Sequence, residues 1–379
     1  DIDRSFSSSF LKAMNERGYI HQCTDFNALD MKLSSSTPVP AYLGFDATAS
    51  SLHVGSLLQI MILRLYQKHG HKPYILIGGG TTKIGDPTGK DESRQLLSNE
   101  KIESNTKSIS KIFAKFISFG NESTDAMIVN NKAWLDSINY LEFLRNYGKH
   151  FTINRMLSYE SVKQRLNREQ PFTFLEFNYL LLQSYDFLYL YRNNNIQLQI
   201  GGSDQWGNIV SGIELGRKVD QASLYGLTAP LISTSNGKKM GKSEQGAIWL
   251  DKDQVSEYDY WQFWRNTSDD DTIKFLKLFT EIPIEQINEM SYWEGSQLND
   301  AKIILADEAT KLLHGDECLI DIHNTVKSLF VCNSNGNGNQ NLDSLPLVIL
   351  SLENSEKIKS DHGLNVVEFF LHSNLVNSK

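Results

Sequence analysis

Apolar residues in the first two-thirds of the chain gather in short runs of strand length, each followed by a longer segment of helical period. Ala41–Phe45, Tyr74–Ile77, Met127–Val129, Ile196–Ile200 and Leu227–Ile232 read as strands. Gly55–His69, which Gly70 can terminate, Phe172–Tyr191 and a segment running to about Arg217 read as helices. Alternation at this spacing predicts an α/β fold, a Rossmann-like parallel-sheet domain with helices on both faces. Two strands empty into glycine, at Gly78-Gly79-Gly80 and at Gly201-Gly202. In such folds ligands sit outside the carboxyl ends of the strands.

From about Val255 the pattern changes. Tyr258–Arg265, Thr272–Thr280, Ile284–Met290 and Ser296–His314 read as helices with no strand between them, so an all-α domain follows the sheet domain. Residues 333–341 are a low-complexity Asn/Gly/Ser stretch that can bury nothing and reads as a flexible connector. Leu364–Leu371 reads as one short amphipathic helix. The expected division is 1–232 for the sheet domain, 233–254 for a loop and linker, 255–330 for the helical domain, 331–363 for the connector and 364–379 for a final stub.

Composition narrows the class. With 379 residues, 40% of them hydrophobic, the chain can bury a full core in two or three domains. No run approaches the ~18 uninterrupted apolar residues of a membrane span, and Leu57–Leu65 is broken by Gln59 and Arg64. The N-terminus lacks the basic-then-apolar pattern of a secretory signal. Cys23, Cys318 and Cys332 have neither the number of a disulfide framework nor metal-type spacing, which points to a reducing compartment and no protein-bound metal. A net charge of −8 argues against wholesale coating of nucleic acid but leaves room for a local RNA-binding patch.

Two distant segments carry the sharpest chemistry. Leu52-His53-Val54-Gly55-Ser56-Leu57 puts a histidine and a glycine at the opening turn of an apolar helix. A lone histidine there is usually structural. With Gly55 to let a ligand approach the backbone, and with Asp46 and Thr48 just upstream, the helix N-terminus becomes a phosphate site. The loop Ser235-Asn236-Gly237-Lys238-Lys239-Met240-Gly241-Lys242-Ser243 hangs compact ammonium charge on a mobile backbone. It can serve as a solvated turn, or it can close on β- and γ-phosphates.

Gly78–Lys90 invites a P-loop reading and fails it, because Gly85 to Gly89 is one residue short and Asp91 follows Lys90. What survives is Asp86 at a glycine-rich strand end, with Lys90 and Arg94 on a polar loop. Inside the apolar helix Phe174–Leu188, Tyr179, Gln183 and Asp186 share one face. Burying an unpaired carboxylate and amide costs several kcal/mol. A core network could answer them; a small ligand bearing an ammonium and a hydroxyl fits better. Gly202-Ser203-Asp204-Gln205-Trp206-Gly207 supplies a second polar cluster.

From about Phe10 to His314 the chain resembles the tyrosyl-tRNA synthetases of bacterial and organellar type, class I enzymes. The strings that carry the resemblance are Tyr42-Leu43-Gly44-Phe45-Asp46-Ala47-Thr48, His53-Val54-Gly55-Ser56, Ile84-Gly85-Asp86-Pro87-Thr88-Gly89-Lys90, Leu182-Gln183-Ser184-Tyr185-Asp186, Gly201–Asn208 and the lysine loop. The resemblance implies that Tyr42 and Asp186 hold the phenolic hydroxyl of tyrosine. It assigns Tyr179, Gln183 and Asp86 to the substrate ammonium and Gln205 to its carboxylate. Gly44, Asp46, Gly202 and Asp204 fall around the adenylate and its ribose. Gly55 and Ser56 open the nucleotide-binding helix, and Thr48 and His53 contact the γ-phosphate. Lys90, Arg94, Lys239, Lys242 and Ser243 match mobile pyrophosphate-binding groups.

The implied reaction activates L-tyrosine with ATP, carried with Mg2+, and transfers it to tRNA(Tyr), with no protein nucleophile. A homodimer is implied, for which Trp134–Tyr159 could supply the interface, in a bacterial cytoplasm or alternatively the mitochondrial matrix or another organelle. Two signature positions differ. Ser56 stands where a second histidine is usual, and Gly241 where the lysine signature often has serine. The stub after Leu364 resembles the start of a truncated C-terminal RNA-binding module, which would weaken tRNA charging. A tryptophan-specific synthetase shares the fold, but an indole would match the Tyr42–Asp186 pair poorly. An RNA-binding or splicing protein derived from a synthetase is the other alternative.

Overall fold

A computed structural model describes residues 5–87, 96–169, 171–235, 237, 240–243, 246–331, 359–360 and 363–364. Six strands form the central sheet: β1 (Gln22–Cys23), β2 (Pro40–Phe45), β3 (Lys72–Ile77), β4 (Met127–Asn130), β5 (Leu198–Gly202) and β6 (Tyr225–Ala229). Their spatial order is β1-β6-β5-β2-β3-β4, parallel throughout except for β1, which runs antiparallel on β6. The chain leaves β2 toward β3 on one side and returns to its other side as β5. That reversal is the switch point at which open α/β sheets leave a crevice. In register, Tyr42 lies between Tyr74 of β3 and Gln199 of β5.

The helices explain why the crevice stays put. After α1 (Ser9–Arg17) and α2 (Phe26–Leu33), α3 (Leu57–Lys68) follows a 3-10 turn at Val54–Ser56 and buries Leu57, Leu58, Ile60, Met61, Ile62, Leu63 and Tyr66. Each such side chain contributes about 1.5–3 kcal/mol on burial. Gly70 closes α3 in the left-handed region at φ +82°, giving its N–H to the Gln67 carbonyl. Next come α4 (Asn99–Phe113) and four short helices, α5 (Lys132–Leu135), α6 (Tyr140–Asn146), α7 (Ile153–Leu157) and α8 (Glu160–Asn167). Then α9 (Phe174–Asn194) packs along α10 (Trp206–Asp220).

From residue 257 to 331 five helices follow one another with no strand between them: α11 (Glu257–Arg265), α12 (Asp269–Phe279), α13 (Ile284–Met290), α14 (Ser296–His314) and α15 (Glu317–Val331). The α12–α13 corner is held to the sheet region by Arg17, which donates to the carbonyls of Lys277, Thr280 and Ile282. Arg64 of α3 adds a bidentate pair with Glu281 at 2.8 and 2.9 Å.

Several expected boundaries move for local reasons. Strand β6 ends at Ala229, not Ile232, because Pro230 has no N–H to continue the ladder. Helix α9 starts at Phe174, not Phe172: Thr173 Oγ1 caps Glu176 N–H while Glu176 returns a bond to Thr173 N–H. Helix α12 starts three residues before Thr272, with Asp269, Asp270 and Asp271 in a first turn whose dipole favours negative charge. The expected helix at Leu364 is corrected at its start: Leu364 pairs in extended conformation with Lys359, which uses the backbone groups a helix would need. Its remaining residues, 365–371, and the connector core 333–341 lie outside the described residues. Cys318 is a free thiol. Among the described residues no helix is long and apolar enough to cross a membrane.

Candidate active site

A cavity of about 520 Å³ opens at the carboxyl ends of β2, β3 and β5, beneath the start of α3. Its inner end is built around Tyr42 and Asp186. Tyr42 is fully buried on β2, edge-on to Phe187 at 5.3 Å, and its hydroxyl has no hydrogen-bond partner. Asp186 of α9 accepts from Trp134 Nε1 at 2.7 Å and from Asn131 Nδ2 at 2.9 Å. Trp134 is itself held by stacking on Tyr189, 4.3 Å between ring centres.

Burial pushes the Asp186 carboxyl up to about 7 against the pull of those two donors, with the Asp46 charge adding to the rise. Burial, then the Asp186 charge, holds the Tyr42 phenol well above its ordinary value. An orphaned buried hydroxyl costs about 1–3 kcal/mol. Here the orphan shares the cavity with a carboxylate whose charge acts on it and whose two oxygens are already positioned, so a ligand hydroxyl bound between them would satisfy both.

The middle of the cavity is a linked polar wall. Tyr179 donates to Asp46 Oδ2 at 3.1 Å, and Thr81 donates to Asp46 Oδ1 at 3.0 Å. Gln183 Nε2 donates to Gln205 Oε1 at 3.2 Å, and Gln205 Nε2 donates to Asp86 Oδ2 at 2.9 Å. Asn208 Nδ2 fixes the Gln183 oxygen at 2.8 Å. Asp204, beside Gly202, has its carboxyl pushed up by burial and by the Asp86 charge. Four aspartates line the cavity and, among the described residues, no lysine or arginine does. Such a wall favours a cationic group such as an ammonium.

The outer end is the helix entrance, where His53 caps the turn before α3. Its Nδ1 accepts from Gly55 N–H at 2.9 Å. In the neutral ring this bond leaves the proton on Nε2, a donor. Gly44, Thr48, Gly55 and Ser56 line the same cavity. Donors and the positive pole of the helix converge there, the requirement for phosphate. Lys242 and Ser243 run antiparallel to Gly246-Ala247. Lys90, Arg94 and Lys239 lie outside the described residues, as do the side chains of Lys242 and Ser243.

A helix start suited to phosphate, an acidic middle and an inner end suited to a hydroxyl thus occupy one cavity. The family model for class I tRNA synthetases of the tryptophan and tyrosine type matches residues 34–331. The tyrosine–tRNA ligase of Caulobacter vibrioides is 58% identical over 313 residues, covering 83% of this chain and 74% of that protein. That of Cereibacter sphaeroides is 51% identical over 371 residues, 98% of this chain and 86% of that protein. The chain belongs to the tyrosyl-tRNA synthetases. A C-terminally truncated mitochondrial tyrosyl-tRNA synthetase of Aspergillus nidulans superposes with a TM-score of 0.76 at 31% identity, over 85% of this chain and 94% of that one.

The site of this synthetase also uses residues that sequence reasoning passes over. Trp134 and Asn131 orient Asp186 from 52 and 55 positions away. Gln59 and Gln199 line the cavity, each with a buried side-chain oxygen that has no partner. One signal was available: Asn131 follows the end of β4, where ligand-facing residues of an α/β sheet are expected. Nothing local marks Trp134 or Gln199.

Proposed function

We propose that the cavity binds L-tyrosine with its phenol between Tyr42 and Asp186, and ATP, as its Mg2+ complex, toward His53. The ammonium of tyrosine then meets Tyr179, Gln183 and Asp86, and its carboxylate lies by Gln205. The adenosine runs past Gly44, Asp46, Gly202 and Asp204, with the triphosphate over Gly55, Ser56 and Thr48. The carboxylate oxygen attacks the α-phosphorus in line as the bond to pyrophosphate breaks. A ribose hydroxyl at the 3′ end of tRNA(Tyr) then attacks the tyrosyl carbonyl of the adenylate, forming the ester as the bond to AMP breaks. No protein nucleophile is needed, so the chain acts by positioning and by stabilising charge on the departing pyrophosphate. His53, Thr48 and the basic residues Lys90, Arg94, Lys239 and Lys242, with Ser243, are assigned to that charge.

The observation that carries the reading is the orphaned Tyr42 hydroxyl beside the doubly held Asp186 carboxylate. Tyrosine-dependent ATP–pyrophosphate exchange tests it. Exchange supported by tryptophan in place of tyrosine would hand the site to the tryptophan enzymes. The division into a catalytic part (1–232), a lysine loop (233–254) and a helical tRNA-binding part (255–330) belongs to the same reading. So does a bacterial cytoplasmic setting, favoured by bacterial relatives at 51–58% identity.

Asp186 makes binding pH-dependent. Its ionised form accepts the phenol O–H, and with a carboxyl at about 7 that form rises from roughly a tenth at pH 6 to nine-tenths at pH 8. Tyrosine should bind about tenfold more weakly at pH 6 than at pH 8 in a fluorescence titration. Its contribution to folding runs the opposite way: the raised carboxyl stabilises the fold fully below its ordinary 3.8, and this is lost as pH rises through 7.

We also propose a homodimer through α6 to the start of α9. Tyr140, Leu141, Ile153, Leu166 and Phe174 are 47–74% exposed there, outside the small core of Phe143, Met156 and Leu181. The chain is expected to sediment as a dimer at micromolar concentration, and Leu141→Asp with Phe174→Asp as a monomer. A monomeric wild-type chain would discard this interface.

A further inference from the structure

Gly241 lies in the left-handed region at φ +93° and is buried. A Cβ at that position would stand 2.5 Å from the Gly55 nitrogen and 3.0 Å from His53 Nδ1. Those two atoms are donor and acceptor of the bond that caps the turn before α3. The approach is mutual, since a Cβ on Gly55 would stand 3.0 Å from the Met240 carbonyl oxygen. The backbone around the contact is pinned on every side. Met240 N–H donates to Ile232, Ile248 N–H to Gly241, Val54 N–H to Ile248, and Leu250 N–H to Leu52. His53 and Trp249 form a bridge, their rings 5.9 Å apart. The neighbours of Gly241 therefore cannot move aside cheaply.

We infer that Gly241 is a positioning residue for His53: its bare Cα lets the lysine-loop backbone sit directly on the Gly55–His53 bond and hold Nδ1 as its acceptor, which keeps the ring proton on Nε2. This rests on the nucleotide-binding reading above and adds a role for a position that the lysine signature often fills with serine. In this chain serine is the disruptive residue. Its side chain would wedge between donor and acceptor, release Nδ1 to take the proton, and leave Nε2 able only to accept.

The test sets Gly241→Ala and Gly241→Ser against Gly18→Ala. Gly18, at the end of α1, has φ +78° with nothing within 4 Å of an added Cβ, so it carries the same kind of backbone strain without the contact. In tyrosine-dependent exchange, both Gly241 variants should lose at least tenfold in kcat while KM for tyrosine stays within twofold. Gly18→Ala should stay within twofold on both. His53→Ala with Gly241→Ala should be no slower than His53→Ala alone, the non-additivity expected of two residues acting through one group. Wild-type rates in Gly241→Ala, an equal loss in Gly18→Ala, or multiplying losses would overturn the inference. Nitrogen-15 spectra of labelled histidine, assigned with His53→Ala, give a readout independent of turnover: an Nε2-protonated ring in the wild type and a mixed tautomer in Gly241→Ala. Identical spectra would overturn the inference even if the exchange reading stood. A wild-type chain without exchange would remove that reading and leave the spectra to decide this one.

Discussion

Asp186→Ala should lower kcat/KM for tyrosine in pyrophosphate exchange by about 10²- to 10⁴-fold. The variant loses a charge-assisted hydrogen bond to the substrate phenol, worth about 1.5–3 kcal/mol. It also strands that phenol, stripped of water, without its acceptor, at about 1–3 kcal/mol more. Each 1.4 kcal/mol is tenfold in rate. The same change orphans Trp134 Nε1 and Asn131 Nδ2 in the unliganded protein, so the melting temperature should fall by several degrees. That second effect makes the variant ambiguous alone, and Tyr42→Phe resolves it. Removing a hydroxyl that has no partner should leave stability unchanged or slightly raised. It should still cost about tenfold in kcat/KM for tyrosine while phenylalanine is used as poorly or slightly better. Function lost without stability lost is the mark of a group kept for the ligand. If Tyr42→Phe melts lower and discriminates as well as wild type, the hydroxyl serves the core and the assignment of the inner pocket falls.

The contrast between Tyr42 and Trp134 shows what could be read before any coordinates. Asp46, His53 and Gly202 stand at strand ends or helix starts, where backbone geometry creates a ligand site, and Tyr42 lies on β2 only four positions before Asp46. Short strings therefore announce them. Tyr179, Gln183 and Asp186 were legible because polar groups on an apolar helix face demand partners. Which partners they take was not legible. Asp186 is answered by residues on α5 and the turn before it, through contacts that no spacing rule contains. Tyr179 donates to Asp46, 133 positions away, so a residue expected on the ammonium also braces the nucleotide end.

The fold divides the same way. Long periodic segments such as Ser296–His314 and Ile284–Met290 agree to the residue, because burial of one stripe decides them. The two-residue strand β1 exists only because β6 offers an open edge. Helix α4 was a different kind of miss: Ile102, Ile109, Ile112 and Phe113 trace a helical period, but the polar residues between them hid it.

Thr48→Ala combined with His53→Ala should reduce kcat for tyrosine activation by about 10⁴-fold and leave KM for tyrosine within a fewfold of wild type. The two side chains line the cavity, His53 at the turn before α3, and neither belongs to the Tyr42–Asp186 pair proposed above for tyrosine. A donor directed at charge that develops as pyrophosphate departs is worth about 10²–10³ in rate when removed. Because it binds the transition state more than the ground state, its loss appears in kcat. His53→Ala also leaves Gly55 N–H uncapped, about 1 kcal/mol of stability, so a small drop in melting temperature is expected. Conservative variants separate chemistry from capping. The change His53→Gln extends an amide toward the Nε2 position and should retain more rate than His53→Asn, whose shorter amide matches the capping atom instead. Thr48→Ser keeps the hydroxyl and should stay within tenfold of wild type. If His53→Asn restores full rate and His53→Gln does not, the imidazole acts only as a cap. The phosphate end of the cavity would then depend on the helix start and the lysine loop alone.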